Sequence, residues 1–382
     1  MHERRPSSLH PSLRRRHRAG HPTMDYLPVE LVERICLFAC CDGGRTACSL
    51  RCVSRSFYDL SGIFRFHTVS ITSEEQILSF RDALNESPAN VRHLFIAVYD
   101  LAGMGIGEAV GNILRDASSG LETLTCLLEE VFDDSLYTLL LSTCFPRLHH
   151  LTLRHPRVGN YLILRPDPDA DARIIYPELR ALHVYHTTPC SIFAAHGSLS
   201  AFVLRAGSKL AHLRASVVAF TGKGSSLDSD MTILRAVLAL QSRHPISCHP
   251  RLHTIPNSVR TYIIEPCYPP KIFQTSGEEQ RICDQLEEVR KENEERGGTR
   301  LVILPARMHQ TGWCHDHKPA EEWREQWVLI QSGKLDSLFE WTPDSGTRPC
   351  RGGQYEEAPR APIRNVSDVL KQMRNRMKSR QL

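Results

Sequence analysis

The stretch Leu148-His149-His150-Leu151-Thr152-Leu153 decides the architecture, because its spacing of apolar residues recurs along the chain. The pattern is apolar, two residues, apolar, one residue, apolar. It returns as Val91, Leu94 and Ile96, as Leu121, Leu124 and Cys126, as Leu179, Leu182 and Val184, and as Leu199, Phe202 and Leu204. Val259, Tyr262 and Ile264 make a later, looser instance. The central positions 94, 124, 151, 182 and 202 stand 30, 27, 31 and 20 residues apart. A short strand with one apolar side cannot bury that side alone, so such units stack on their neighbours. Steps of about 20–30 residues are those of leucine-rich repeats. The Asn ladder usual in that class is missing, with Tyr99, Pro156 and Thr187 in its place, so the repeats are expected to be irregular.

Helical periodicity fills the intervals. Ile77, Phe80 and Leu84 share a face over residues 74–85, as do Ile106, Val110, Ile113 and Leu114 over 104–116. Asp230 is placed to cap a helix that buries Ile233, Leu234, Val237 and Leu238. Residues 278–296 read as a charged helix with Ile282, Leu286 and Val289 as a thin apolar stripe, and residues 221–229, rich in Gly and Ser, as a loop.

Upstream of the repeats the period changes. Pro28 suits the first position of a helix, and Glu30 suits its positive first turn. Leu31, Ile35 and Phe38 then fall on one face. Cys41-Asp42-Gly43-Gly44 ends that helix. A second helix is expected over 46–53, burying Ala47, Leu50 and Val53, and Phe57 and Leu60 mark a third. Residues 67–74 alternate as a strand, with Val69 and Ile71 on one side.

The 382 residues suit one small plus one large unit. Net charge is +4, but residues 1–23 hold six Arg against Glu3, and residues 364–382 hold six Lys or Arg against Asp368. The body between them is therefore mildly acidic, which argues against nucleic acid as a main ligand. The Arg-rich start is compatible with a nuclear signal, with a mitochondrial transit peptide, and with a plain basic tail. Residues 344–362 read as a linker, and residues 366–378 as a basic surface helix. No apolar run approaches the length that spans a bilayer. Thirteen cysteines without a regular framework fit a reduced cytoplasmic or nuclear compartment.

Leu27-Pro28-Val29-Glu30-Leu31-Val32-Glu33-Arg34-Ile35 resembles the opening of an F-box, and Leu50-Arg51-Cys52-Val53-Ser54-Arg55-Ser56-Phe57-Tyr58-Asp59-Leu60 resembles its second half. His67-Thr68-Val69-Ser70-Ile71 looks like the strand that leaves the F-box in many fungal proteins. Trp323, Trp327, Gly333 and Trp341 are similar to a Trp- and Gly-bearing segment near their C-terminal end, although the closing Cys-Trp pair is absent. The resemblance is to fungal, basidiomycete-type F-box proteins with an irregular leucine-rich-repeat-like C-terminal domain. It implies an α/β fold with a basic tail over 1–23, an F-box over 24–66, a solenoid-like substrate-binding domain over 67–343, and a linker and tail over 344–382. It further implies a non-catalytic substrate receptor of a ubiquitin ligase. Such a receptor docks a Skp-type adaptor, and through it a cullin, by Leu27, Pro28, Leu31, Ile35, Leu50, Val53 and Phe57, while the body holds a protein target. The alternative is a repeat scaffold with no ligase role. Neither reading involves a membrane, a cofactor or a metal.

Chemistry-bearing clusters read as structural. Cys36, Cys40, Cys41, Cys48 and Cys52 lack Cys-x-x-Cys knuckles and suit a small apolar core better than zinc. Cys314-His315-Asp316-His317, near His309, reads as a polar turn. Gly103-Met104-Gly105-Ile106-Gly107 lacks the Lys of a phosphate loop and reads as a turn before a helix.

Overall fold

Sequential short strands joined by helical crossovers can only form a parallel sheet, and the chain does so. The computed structural model describes residues 27–62, 64–86, 90–98, 105–128, 135–155, 173–220, 227–240, 253–268, 277–305, 307–308 and 320–331. These all lie within the unit Met1–Thr342; the second unit, Pro343–Leu382, lies outside them, so the linker expected over 344–362, the helix expected over 366–378 and the basic stretch over 1–23 all fall outside the described residues. The fold is α/β, as expected.

Three helices come first: α1 (Val29–Ala39), α2 (Arg45–Arg51) and α3 (Arg55–Gly62). There follow β1 (Thr68–Ile71), α4 (Glu74–Glu86), β2 (His93–Val98), α5 (Ile106–Ala117), β3 (Thr123–Leu128), α6 (Ser135–Ser142) and β4 (His150–His155). The chain continues through β5 (Ala181–Ser191), α7 (Ile192–Val203), β6 (His212–Ala219), α8 (Leu227–Val237), β7 (Thr261–Tyr268), α9 (Glu278–Glu295), β8 (Arg300–Ile303), β9 (Arg307–Met308) and α10 (Ala320–Gln331). Strands β1 to β8 lie side by side in chain order, all parallel, and β9 pairs with the end of β7.

That order fixes where the helices go. Each crossover steps one strand in the same direction, and parallel crossovers are right-handed, so all the crossover helices fall on one face. The core follows. Leu94, Leu124, Leu151, Leu182, Leu213, Tyr262 and Leu301 are register partners across seven strands and are fully or almost fully buried. They pack with Ile77, Phe80 and Leu84 of α4, with Ile106, Val110, Ile113 and Leu114 of α5, and with Ile282, Leu286 and Val289 of α9. The neighbouring strand residues point the other way. Phe95, Ala97, Leu127, Tyr185, Val217 and Cys267 form a smaller cluster on the second face, closed by Trp323 and Trp327 of α10.

The four triplets from Val91 to Val184 lie where the spacing puts them. The triplet Leu199, Phe202, Leu204 does not. Leu199 and Phe202 are buried on α7, and Leu204 is its C-cap. A three-residue step is also helical spacing, and Ser191 caps this helix by accepting from the Ala194 N–H at 3.3 Å. The true next strand is β6, whose Leu213 pairs with Leu182. The looser triplet at Val259, Tyr262 and Ile264 does lead into β7, and the four-residue β8 follows it outside the recurring pattern.

Other boundaries move. Pro28 is the N-cap of α1 rather than its first residue, and its carbonyl accepts from Leu31 and Val32 N–H. Helix α2 ends at Arg51, which leaves Val53 outside it and exposed rather than buried. Helix α8 starts at Leu227, so Asp230 is a buried first-turn residue and not the cap; residues 227–229, read as loop, are helical, and 221–226 lie outside the described residues. Gly105 is the N-cap of α5, while Gly103 and Met104 lie outside the described residues. So do Tyr99 and Pro156 of the missing Asn ladder.

The helical module sits against the first strand through the turn between α1 and α2. Gly43 and Gly44 have φ of +79° and +92°, a region that costs any other residue dearly. A Cβ on Gly43 would meet the Ser70 Cβ at 2.7 Å, and one on Gly44 the Thr68 carbonyl at 3.2 Å. Arg324 of α10 closes on the same turn and donates to the Asp42 carbonyl at 2.8 Å.

Candidate functional site

The N-terminal helices are apolar on two sides and bury only one. Val32 and Cys36 of α1, with Cys40, Ala47 and Phe64, form an internal cluster. Leu37, Leu50, Phe57 and Leu60 pack against it half-buried. Three short helices hold no more than this, since small modules bury a low fraction of their surface.

The other side of α1 is left to solvent. Leu31 is 46% exposed, Ile35 48% and Phe38 78%, at spacings of four and three that set them in one strip. Leu27 and Val29 are exposed at the start of α1, Val53 is 64% exposed in the turn after α2, and Tyr58 is half exposed on α3. The Arg51 guanidinium lies 4.3 Å from the Tyr58 ring centre, so its methylenes extend the apolar surface beneath a charged head.

Of the seven residues singled out in the sequence, Leu27, Pro28, Leu31, Ile35 and Val53 are exposed, while Leu50 and Phe57 pack inward. Val29, Phe38 and Tyr58 also belong to the exposed set, beyond the seven residues that the resemblance points to. Phe38 carried a usable signal, being one turn beyond Ile35; Tyr58 carried none until α3 was positioned.

Of the five cysteines expected to fill this module's core, only Cys36 and Cys40 do so; Cys41 is half-buried, and Cys48 and Cys52 are exposed. Cys36 and Cys40 are buried, and burial, helped by the neighbouring Cys36, Asp42, Cys41 and Cys48, pushes the Cys40 thiol up to about 12. A thiol so held stays protonated and is a poor nucleophile or metal ligand. Among the described residues, no group of three or more His, Cys, Asp or Glu is placed to hold a metal. Nine described cysteines are free thiols, whereas Cys283 is disulfide-bonded, a departure from a wholly reduced set. His309 and the 314–317 cluster lie outside the described residues. No described helix is long and apolar enough to cross a membrane.

The second face of the sheet is the other surface with distinctive chemistry. Helix α10 sets Trp323 5.5 Å from His183 and 5.1 Å from Tyr185, ring centre to ring centre, and Trp327 5.4 Å from Phe95. Arg214 and Glu265 pair at 2.9 Å beside them. Gly333 and Trp341, grouped with these tryptophans in the sequence, lie outside the described residues. Nearer the strand starts, His93 bonds Thr123 at 3.0 Å. Burial first, then His67, Arg92 and His149, lower His93 to about 3, and burial followed by Arg92 lowers His67 to about 4. These imidazoles are uncharged at neutral pH.

No family model, curated protein or solved structure matches the chain.

Proposed function

We propose that this chain is a non-catalytic receptor of the F-box type, with α1 to α3 as the F-box and the sheet with its crossover helices as an irregular leucine-rich-repeat-like solenoid. The observation that carries the reading is the strip Leu31, Ile35 and Phe38, exposed on a module whose opposite side is already packed. An apolar strip of this kind marks an interface. Covering the half-exposed Leu31 and Ile35 is worth roughly 0.7–1.5 kcal/mol each and the more exposed Phe38 roughly 1–2.5 kcal/mol, which favours association when they are covered together. On this reading the occupant is a Skp-type adaptor that leads to a cullin. The body presents a protein target to the ubiquitin-carrying enzyme, and catalysis is by proximity rather than by any group of this chain.

The test is co-purification with a Skp-type adaptor. Wild type should retain it. Leu31→Asp with Ile35→Asp, and separately Leu27→Ala with Pro28→Ala, should lose it while circular dichroism and the melting temperature stay those of the parent. Equal recovery of adaptor by wild type and both variants would leave a repeat scaffold without a ligase role as the better description.

A further inference from the structure

Helix α10 sits on the second face of the sheet and is held there differently from the crossover helices. Helix α5 buries seven of its residues. Of the described α10 side chains only Trp323 and Trp327 are buried, and they belong to a separate cluster with Phe95, Leu127, Tyr185 and Cys267 rather than to the main core. Val328, Leu329 and Ile330 stay half-buried.

The contact is also poorly matched in its polar groups. The Trp327 Nε1 is buried without a hydrogen-bond partner among the described residues. So are both amide atoms of Gln331 and, on the strand side, the His150 Nδ1. Buried polar atoms ordinarily find partners, and each that does not costs stability. A gap of about 30 Å3 remains between Trp327 and Ile330 of α10 and Thr125, His150 and Thr152 of the sheet. It has room for about one or two water molecules. Water entering there meets the His150 Nδ1 and the Trp327 N–H, so parting α10 from the sheet gains hydrogen bonds that the closed contact does not make.

Arg324 fastens the helix at the turn before α2, where it donates to the Asp42 carbonyl at 2.8 Å. That turn is firm, because the Asp42 carboxylate accepts from the Thr46 N–H at 3.0 Å and from the Thr46 hydroxyl at 2.8 Å. A charge-assisted bond to a fixed carbonyl is a latch, and it lies away from the two anchoring indoles.

We propose that α10 is a latched strap, which leaves and reseats on the second face as one unit while the sheet stays folded. Elements with few buried apolar contacts open at free energies below that of global unfolding, and α10 meets that description. Opening bares Phe95, Leu127 and Tyr185, an apolar surface of the kind that docks another chain. Arg324 sets how often it is bared. The strap is independent of the adaptor surface, so either reading can fail without the other.

Two buried thiols read the strap directly. Cys267 belongs to the cluster under α10, and Cys126 to the main core. The full chain is labelled with N-ethylmaleimide in native buffer and each site is followed by peptide mass spectrometry, with each rate divided by that of the same thiol in urea. Cys267 should react about tenfold faster than Cys126 or more, since only global unfolding reaches the latter. Arg324→Ala should speed Cys267 about tenfold, the worth of a charge-assisted hydrogen bond, and leave Cys126 unchanged. Trp327→Ala, which removes an anchor and keeps the latch, should speed Cys267 as well. Hydrogen exchange should show the α10 amides opening faster in Arg324→Ala while those of β3 to β5 hold. Equal rates for the two thiols, a Cys267 rate that neither variant changes, or α10 amides that exchange only together with the strands would overturn the proposal.

Discussion

Helix α1 and strand β4 both carry leucine or isoleucine at regular spacing, yet one leaves Leu31 and Ile35 wet and the other seals Leu151 and Leu153. Leu151 and Leu153 on β4 are 1% exposed, while Leu31 and Ile35 on α1 remain about half exposed. The difference lies in what each element has for neighbours. Strand β4 is flanked by β3 and β5 and covered by crossover helices, so every apolar group on that side meets others. Among the described residues, helix α1 packs with α2, α3 and the turn at Phe64, and they occupy one side of it. Apolar periodicity therefore tells that a face wants covering, and the count of available neighbours tells whether the chain covers it itself.

Three substitutions or conditions sharpen that contrast. The largest effect should come from the sealed side: Leu151→Ala opens a cavity in the register ladder and should cost roughly 3–5 kcal/mol in urea unfolding. A cost under about 1 kcal/mol would mean the ladder is loosely packed. The second is acid. His67, His93 and His150 are held uncharged in the fold, at about 4, 3 and 3, against about 6.5 when unfolded. Their folded values are depressed, so the unfolded chain binds the extra protons as pH falls below about 6.5, and stability rises with pH across that window. The urea midpoint should be flat from pH 8 to 7 and fall from pH 6.5 to 5, where carboxylates are still mostly ionised. His93→Asn should flatten the slope, and a midpoint that rises on acidification would contradict the assignment. The smallest effect belongs to the exposed side: Leu31→Gln with Ile35→Gln should change stability by no more than about 0.5 kcal/mol, as surface substitutions do. A loss of several kcal/mol would mean that α1 is sealed by the chain itself and is no docking face.

Legibility in the sequence tracked redundancy. The triplets at 91–96, 121–126, 148–153 and 179–184 were readable because Val, Leu or Ile holds every position except the last of the second, where the small apolar Cys126 stands. Strand β6 was hidden because its triplet is Leu210, Leu213 and Ala215, and a single Ala dilutes the signal. The competing triplet on α7 won by accident, since apolar residues three apart fit a helix and a strand entry equally. Strand β8 is four residues long and begins with an exposed Arg300, too short for alternation to register. The docking face was half legible. Leu31, Ile35 and Phe38 announced one strip, but Leu50 and Phe57 could be sorted inward only once the three helices were packed. The surface beneath α10 was illegible: Phe95, His183 and Tyr185 are ordinary residues until register and a distant helix bring them together.

Sequence alone determined that the chain makes parallel strands with crossover helices behind a short helical module, because periodicity is a local property that each segment carries by itself. Tertiary structure alone decided which apolar faces are sealed, that α10 crosses the second face of the sheet, and that Arg324 ties it to the turn before α2. Those outcomes depend on how many neighbours reach a surface, and nothing in one segment records the positions of the others.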